Sequence, residues 1–207
     1  MKKYILIVLL LFMTGCSRPH PAGESFEKID VSKEPVQCSF RGDDWVVKGI
    51  NHGEFVLSPV AGYSISAVVV SKKFYFHGWQ AQISPLDLAL VWGKLAEPGY
   101  DKFINYSQGN RWYYWRYSGR SPLRNPYISR HSSNNHIIPA NNNVFLAMRT
   151  IRKKEKVKLE GYLVRLSGKY KGRDYWWNSS LSRSDGGDDS CEVFYVERVQ
   201  RGNKVYE

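Results

Sequence analysis

The sequence predicts a mainly β protein of the α+β class, with a single small antiparallel β-barrel or OB-like domain and two short helices. The first observation is the number of aromatic residues, 7 Trp, 14 Tyr and 9 Phe in a chain of 207 residues, because aromatic side chains favour strands. The second is a series of short apolar or alternating segments separated by polar turns. The third is that neither an internal repeat nor a retained transmembrane helix is found. A β-sandwich would show the same strand pattern and is the alternative.

The first sixteen residues have the organisation of an export signal. Two lysines precede the apolar run of residues 4–12, and Thr14–Cys16 follows it. This stretch resembles the lipobox of bacterial lipoproteins, which implies removal of residues 1–15 and attachment of a diacylglycerol to the thiol of Cys16. A retained membrane span needs about 18 or more apolar residues, so that alternative is disfavoured. An ordinary secretory signal is the other alternative.

The lipobox resemblance also implies a location and partners. A residue other than Asp after the lipidated cysteine, here Ser17, generally sends a Gram-negative lipoprotein to the outer membrane, facing the periplasm. The chain has a formal net charge of +11, which would draw a membrane-anchored protein to anionic envelope polymers. Another envelope protein is a second possible partner, and an unspecific solvated surface is the simpler interpretation. Export argues against nucleic acid as a partner.

The domain boundaries follow from composition. Residues 1–15 are predicted to be the signal peptide, residues 16–37 a proline-containing flexible linker, and residues 38–207 a single β-rich domain. If Cys16 carries lipid, Cys38 and Cys191 remain, and two thiols in an oxidising compartment commonly form a disulfide.

The first half of the domain is predicted to contain two hairpins, a strand and a helix. A hairpin is expected around residues 51–53, and a strand at residues 63–70 that ends in a continuous apolar run. A helix is expected to begin at Ser84, which would cap it ahead of a proline at the first helical position, and to end before Pro98. Residues 103–117 predict the second hairpin.

The second half begins with a long polar segment, residues 118–135, predicted to be a loop. A short helix is expected after a capping Asn143, and an alternating strand at residues 157–164 with a bulge or bend at Gly161. The last strands are predicted at residues 175–177 and 191–196.

Several segments together resemble a family of uncharacterised bacterial envelope proteins. They are residues 86–93, 133–140, 161–164 and 179–192. The resemblance spans residues 63–199 and implies one domain. It implies no activity, cofactor or catalytic residue.

One group of polar residues is a candidate site: His136, Arg183, Asp185 and Glu192. His136 could serve as a general base or a metal ligand. The simpler interpretation is that the preceding Ser and Asn residues hold a turn and that His136 binds a backbone carbonyl. The Gly-rich loop that contains Arg183 and Asp185 lacks the spacing of a calcium loop, and a plain strand connection with an Arg–Asp pair is the simpler interpretation.

Nucleophilic catalysis has little support in the sequence. A pair of Cys191 with His136 would need an exposed thiolate, whereas Cys191 opens an apolar strand. None of the common hydrolase, metalloprotease, nucleotide-binding or redox motifs is found, and no cofactor or metal is predicted.

A second candidate is an aromatic and basic binding surface, comprising Arg111, Trp112, Trp115, Trp176 and Trp177. Exposed aromatic rings beside arginine can stack on sugars or bases or enter a membrane interface. The alternative is that most of these rings belong to the core.

The preferred hypothesis is a lipid-anchored cell-envelope protein of unknown activity that acts as a non-enzymatic binding or structural module. The alternative is an envelope hydrolase that uses His136 with Asp185 or Glu192.

Overall fold

The computed structural model describes residues 18–40, 42, 46–182 and 191–207. Its strands are β1 (Gly23–Glu24), β2 (Val36–Ser39), β3 (Val46–Ile50), β4 (Gly53–Phe74), β5 (Leu86–Val91), β6 (Ile104–Gly109), β7 (Trp112–Tyr117), β8 (Ser132–Pro139), β9 (Lys156–Tyr170), β10 (Arg173–Asn178), β11 (Glu192–Arg201) and β12 (Lys204–Tyr206). Its helices are α1 (Gly78–Ile83), α2 (Asn125–Arg130), α3 (Asn142–Thr150) and a 3₁₀ helix (Gly93–Ala96). The mainly β, α+β class predicted from the sequence is confirmed, with three short α-helices in the described part of the chain.

Five strands form a closed ring in the order β4, β5, β8, β11, β9 and back to β4. Four of the five pairings are antiparallel, but β8 and β11 run parallel. The expectation of a purely antiparallel sheet is therefore wrong for this pair. Beyond the ring, β3 and β10 extend the sheet on the outer sides of β4 and β9, and β6 and β7 form a separate hairpin.

The long strand β4 takes part in both the ring and its extension. Its pairing with β9 shifts register between Pro59 and Ala61, and its pairing with β5 shifts between Val69 and Ser71. An extra residue in one strand bends it and increases its twist. These two irregularities let one 22-residue strand curve around the core.

Gly161 lies where three strands approach closely, opposite Tyr63 on β4 and Val196 on β11. A Cβ atom at Gly161 would lie 2.1 Å from the carbonyl oxygen of Tyr195. The sequence predicts a bulge or bend in β9 at Gly161. The structure has the extra residue in the partner strand β11 instead, where the register with β9 shifts between Val196 and Arg198. Glycine is required at this position by the close approach of the backbone.

Three apolar clusters fill the molecule. The first occupies the ring interior and is closed by α3. The second lies between the outer face of β8 and β11, the extension of β4 and β9, and α1. The third lies beneath the β6–β7 hairpin and α2. Strands β5, β8 and β11 therefore carry buried side chains on both faces.

The prediction of a helix that begins at Ser84 is wrong, because residues Leu86–Val91 form strand β5. All six residues of β5 are buried. Leu88 faces the ring interior and Ala89 faces the third cluster. Periodicity cannot distinguish a strand that is buried on both faces from a short apolar helix, and only the turn after β5 is helical, as the 3₁₀ segment.

The prediction of a loop at residues 118–135 is also wrong for the second half of that segment. Residues Asn125–Arg130 form α2, and Ser132 begins β8. The polar residues Ser132–Asn135 are buried in this central strand, so their side chains must be satisfied inside the protein.

The segment predicted as a flexible linker packs against the domain from His20 onward. Strand β1 pairs with β12, Ile29 is 8% exposed, and the amide of Gln200 donates to the carbonyl of Glu27 at 2.7 Å. The indole of Trp92 donates to Glu34 Oε2 at 2.8 Å. The few side chains that the segment contributes to the core are not recognisable in its composition.

Asn143 has a different role from the predicted helix cap. The cap of α3 is Asn141, whose Oδ1 accepts a hydrogen bond from the backbone N–H of Val144 at 3.0 Å. The amide of Asn143 instead donates to the carbonyls of His20 at 2.8 Å and Glu207 at 3.0 Å, and its Oδ1 accepts from the His20 N–H at 2.8 Å. It therefore joins the two ends of the described chain.

Within the described residues, we find no helix with the length and apolar character needed to cross a bilayer. Cys16 lies outside these residues.

Candidate functional site

His136 occupies a buried polar cluster on the outer face of the strand ring. Its neighbour Ile137 belongs to the ring interior, so alternation along β8 turns His136 outward. Asp87 is its register partner on β5, and His136 Nδ1 lies 3.0 Å from Asp87 Oδ1. The side chain of Asp87 is fully buried and that of His136 is 4% exposed.

Arg111 covers this pair from the turn of the β6–β7 hairpin. Asn110 and Arg111 both have positive φ, 51° and 67°, as a tight two-residue hairpin turn requires. Arg111 Nη1 donates to Asp87 Oδ1 at 2.7 Å, and Nη2 donates to the carbonyl of Ser84 at 2.8 Å. The guanidinium lies 3.8 Å from the ring centroid of Tyr75. Arg111 thus supplies the charge that compensates the buried carboxylate.

Asn134 fixes the same hairpin to β8. Its Nδ2 donates to the carbonyl of Arg111 at 2.9 Å, and its Oδ1 accepts from Gln108 Nε2 at 2.7 Å. The hydroxyls of Tyr113 and Ser132 lie 3.1 Å apart nearby. The polar residues of β8 therefore bind the backbone and side chains of the hairpin above them.

Cys191 borders the cluster as a free thiol. Its Sγ lies 3.8 Å from Asn134 Nδ2. Burial raises the pKa of Cys191 to about 12, because a thiolate is poorly solvated there. Cys191 is therefore protonated at neutral pH and is a poor nucleophile.

The predicted disulfide is not formed. Cys38 and Cys191 are both free. Cys38 is exposed on β2 opposite Gly62 of β4, whereas Cys191 is buried beside Asn134 of β8.

The predicted polar group of His136 and Glu192 does not converge. Val193 is the register partner of His136 across β8 and β11. Successive side chains of a strand point to opposite faces, so Glu192 lies on the other face of the sheet. Arg183 and Asp185, the other two members, lie outside the described residues. Among the described residues, no group of three or more His, Cys, Asp or Glu side chains is arranged to hold a metal ion.

The cluster around Asp87 is thus a buried network that ties several elements together, although Asp87 Oδ2 has no hydrogen-bond partner in the described part of the chain. It joins the end of α1, strand β5, the β6–β7 hairpin, β8 and, through the contact of His136 with the Trp177 ring at 4.7 Å, β10. The side chains of Asp87 and His136 are both removed from solvent in this structure.

Asp87 and its ion pair with Arg111 were missed from the sequence. Asp87 was assigned to the first turn of a helix, and Arg111 was assigned to an exposed surface. A positive-φ hairpin turn can be recognised locally from Asn110, but the fold alone brings that turn over β5.

The predicted aromatic surface divides between the core and solvent. Arg111 belongs to the buried cluster, and Trp177 packs against Trp79 in the second apolar cluster. Trp112 and Trp115 are half-buried on the hairpin. Trp176 is 73% exposed.

Trp176 stands on a sheet face made by four neighbouring strands. Register pairs Val47 with Val56, Val56 with Ser167, and Ser167 with Trp176, so the four side chains lie in one row. Val47 is 56% exposed. Alternation along β9 adds two exposed cations to the same side, where the register partners of Lys169 are the exposed Glu54 and Asp174. We call this surface the Trp176 face and define it by Val47, Val56, Arg165, Ser167, Lys169 and Trp176.

No protein-family model, curated protein or solved structure matches the chain.

Proposed function

We propose that this protein is a lipid-anchored, non-enzymatic binding module of the cell envelope, and that its Trp176 face binds an acidic glycan polymer. The observation that carries the proposal is the exposed indole of Trp176 in a row of four side chains on one sheet face. Isolated exposed apolar residues are common on protein surfaces, but here Trp176 and Val47 stand in one row beside Arg165 and Lys169, and the neighbouring carboxylates of Glu54 and Asp174 are exposed and exchangeable.

The chemistry of this face suits a sugar polymer that bears acidic groups. An indole offers a broad apolar plane for the face of a sugar ring. Arg165 and Lys169 can donate charge-assisted hydrogen bonds to carboxylates or phosphates. Lys169 already lies 2.9 Å from Asp174, and because both side chains are largely exposed, that ion pair is weak and can be exchanged for a ligand. The net charge of +11 would speed the encounter with an anionic polymer.

The membrane anchor is proposed from the lipobox resemblance at Cys16. Asn143 holds His20 against the domain, and the four Cα–Cα steps from Cys16 to His20 reach at most about 14 Å. A lipidated protein of this kind would therefore be held close to the bilayer and not on a long tether.

Intact-mass spectrometry of the protein purified from membranes tests the anchor. We expect the loss of residues 1–15 and the added mass of a diacylglycerol and an acyl group. A Cys16→Ser chain should show neither change. An unmodified amino terminus in the parent protein would contradict this part of the proposal.

Co-sedimentation tests the binding face. The full chain, held in phosphatidylcholine vesicles, is mixed with beads that carry peptidoglycan fragments, uncharged chitin or polyglutamate. The amount of protein that sediments with each kind of bead is measured. We expect the tightest binding to peptidoglycan, because only that polymer offers both sugar rings and carboxylates. Trp176→Ala should weaken this binding about tenfold, the cost of about 1.4 kcal/mol.

Matched controls separate the face from general charge and stickiness. Phe76→Ala removes another aromatic ring that is 80% exposed and should leave binding unchanged. Arg165→Gln with Lys169→Gln should weaken binding, whereas Lys73→Gln with Arg116→Gln, two exposed cations outside the face, should have little effect. Equal losses in both double variants, or full binding by Trp176→Ala, would overturn the proposal.

A further inference from the structure

A cavity of about 480 Å³ opens on the side of the molecule where β4 meets the start of β6. Its apolar lining comes from Val68, Val70, Leu95, Ala96 and Ile104. Ligand cavities in proteins typically measure about 300–1,000 Å³ and are mostly apolar with a few placed polar groups. We call it the β4–β6 cavity.

The fold makes this cavity by means of the second irregularity of β4. The register with β5 shifts between Val69 and Ser71, which places Val70 as the extra residue. Val69 packs in the ring interior, while Val70 packs in the third apolar cluster beneath the hairpin. The bulge therefore turns an additional apolar side chain towards the cavity wall.

Tyr106 also lines the cavity. Its hydroxyl is buried and has no hydrogen-bond partner in the described part of the chain. Burial, with Tyr113 and Tyr117 nearby, raises the pKa of Tyr106, so the hydroxyl keeps its proton at neutral pH. Because the hydroxyl is buried, a ligand in the cavity would meet the ring of Tyr106 and not its hydroxyl.

The charges around the cavity are mixed: three lysines against two carboxylates leave one excess positive charge. Lys154 lies 2.6 Å from Asp101. Within the described residues, Lys153 and Lys156 form no ion pair, and the remaining acidic residue of the lining is Glu97. The balance of this rim favours an anion.

We infer that the β4–β6 cavity binds a small amphiphile with one acidic head group and a short apolar chain. The chain would lie against the apolar walls, and the acidic group would lie near Lys153 and Lys156. Lys156 begins β9 and Ser167 lies near its other end, so this site is separate from the Trp176 face. The inference does not rest on the function proposed for that face.

Equilibrium dialysis with radiolabelled octanoate tests the inference. The full chain in phosphatidylcholine vesicles is compared with empty vesicles, and octyl phosphate and octyltrimethylammonium are used as competitors. We expect saturable octanoate binding that octyltrimethylammonium does not displace. Displacement by octyl phosphate at lower concentration would identify phosphate, rather than carboxylate, as the preferred head group.

Three variants locate the binding. Tyr106→Phe, the control that keeps the ring in the cavity wall, should leave octanoate binding unchanged, and its thermal unfolding temperature should equal or exceed that of the parent because an unpartnered buried hydroxyl is removed. Ala96→Phe should abolish binding by filling the cavity. Lys153→Gln with Lys156→Gln should weaken it about fivefold, whereas the matched Lys73→Gln with Lys204→Gln should not.

Several results would overturn the inference. They are the absence of saturable octanoate binding, equal competition by octyltrimethylammonium, and unchanged binding by a folded Ala96→Phe. Trp176→Ala should bind octanoate as the parent does, so that failure here and failure of glycan binding are distinguishable.

Discussion

Asp87 Oδ1 lies 2.7 Å from Arg111 Nη1, and the carboxylate belongs to a strand whose side chains are buried on both faces. A fully buried carboxylate is stable in a protein only if it is paired and hydrogen-bonded. The pair also joins the β6–β7 hairpin to the strand ring, so its removal should affect the folding of both.

Arg111→Met should destabilise the protein by about 3–5 kcal/mol, because it leaves the carboxylate of Asp87 buried without its cation. Urea unfolding followed by circular dichroism measures this loss. Arg116→Met, which changes an exposed arginine of β7, should stay within about 0.5 kcal/mol of the parent. If the two residues act as a pair, Asp87→Asn combined with Arg111→Met should cost less than the sum of the two single changes.

The raised pKa of Cys191 predicts a loss of stability in alkali. The folded thiol has a pKa of about 12 against 9.0 for the free group, so above pH 9 the folded state holds a proton that the unfolded state has released. The free energy of unfolding should therefore fall as pH rises from about 9 to about 12, by up to about 1.4 kcal/mol per pH unit for this one group. Below pH 9 this contribution is fully present.

Cys191→Ala tests that assignment, since a variant without the thiol should show a shallower alkaline slope in urea unfolding. Tyr75 and Tyr113, whose pKa values burial also raises to about 12, will maintain part of the slope. In the native parent, iodoacetamide at pH 8 should label the exposed Cys38 and leave Cys191 unmodified. An identical slope in the variant together with rapid labelling of Cys191 would contradict the prediction.

Gly161→Ala should destabilise the protein by about 3 kcal/mol, because the new Cβ would meet the carbonyl oxygen of Tyr195 and strands β9 and β11 would have to separate. Gly49→Ala is a suitable comparison, as a Cβ there meets no atom within 4 Å. Thermal unfolding of both variants measures the difference. A Gly161→Ala protein as stable as Gly49→Ala would show that the strands can adjust.

Asn143→Ala should release the amino-terminal segment from the domain, since the hydrogen bonds between Asn143 and His20 would be lost. Hydrogen exchange at the His20 amide should become faster, and limited trypsin digestion should cut the segment earlier. Asn142→Ala changes the neighbouring exposed residue of α3 and should leave both unchanged. Similar protection of His20 in the two variants would mean that β1 alone holds the segment.

Local signals in the sequence were sufficient for the hairpins and the longest strands. The turn before Gly53 and the alternation of Tyr63–Val70 are properties of neighbouring residues, and the structure has β3, β4 and the β6–β7 hairpin where they were predicted. The last predicted strand, at residues 191–196, also lies where the structure has β11.

The candidate site was predicted less well. His136 was identified as a residue of interest, but its partners Asp87 and Arg111 were assigned to a helix and to an exposed surface. Ser132–Asn135 looked like a loop because such residues usually face water or hold turns. In the structure, the hairpin above β8 supplies partners such as Gln108 and the Arg111 carbonyl, and no neighbour in sequence indicates that.

The sequence by itself determined the mainly β class, the hairpins and the strand pattern, because these depend on side-chain alternation and turn residues a few positions apart. Only the tertiary structure decided that Leu86–Val91 is a strand, that β8 and β11 run parallel, and that Asp87, Arg111 and His136 meet. These outcomes depend on which other strands and helices bury the two faces of each segment. That burial is contributed by residues far away in the chain, so its effect on a short segment cannot be found within the segment.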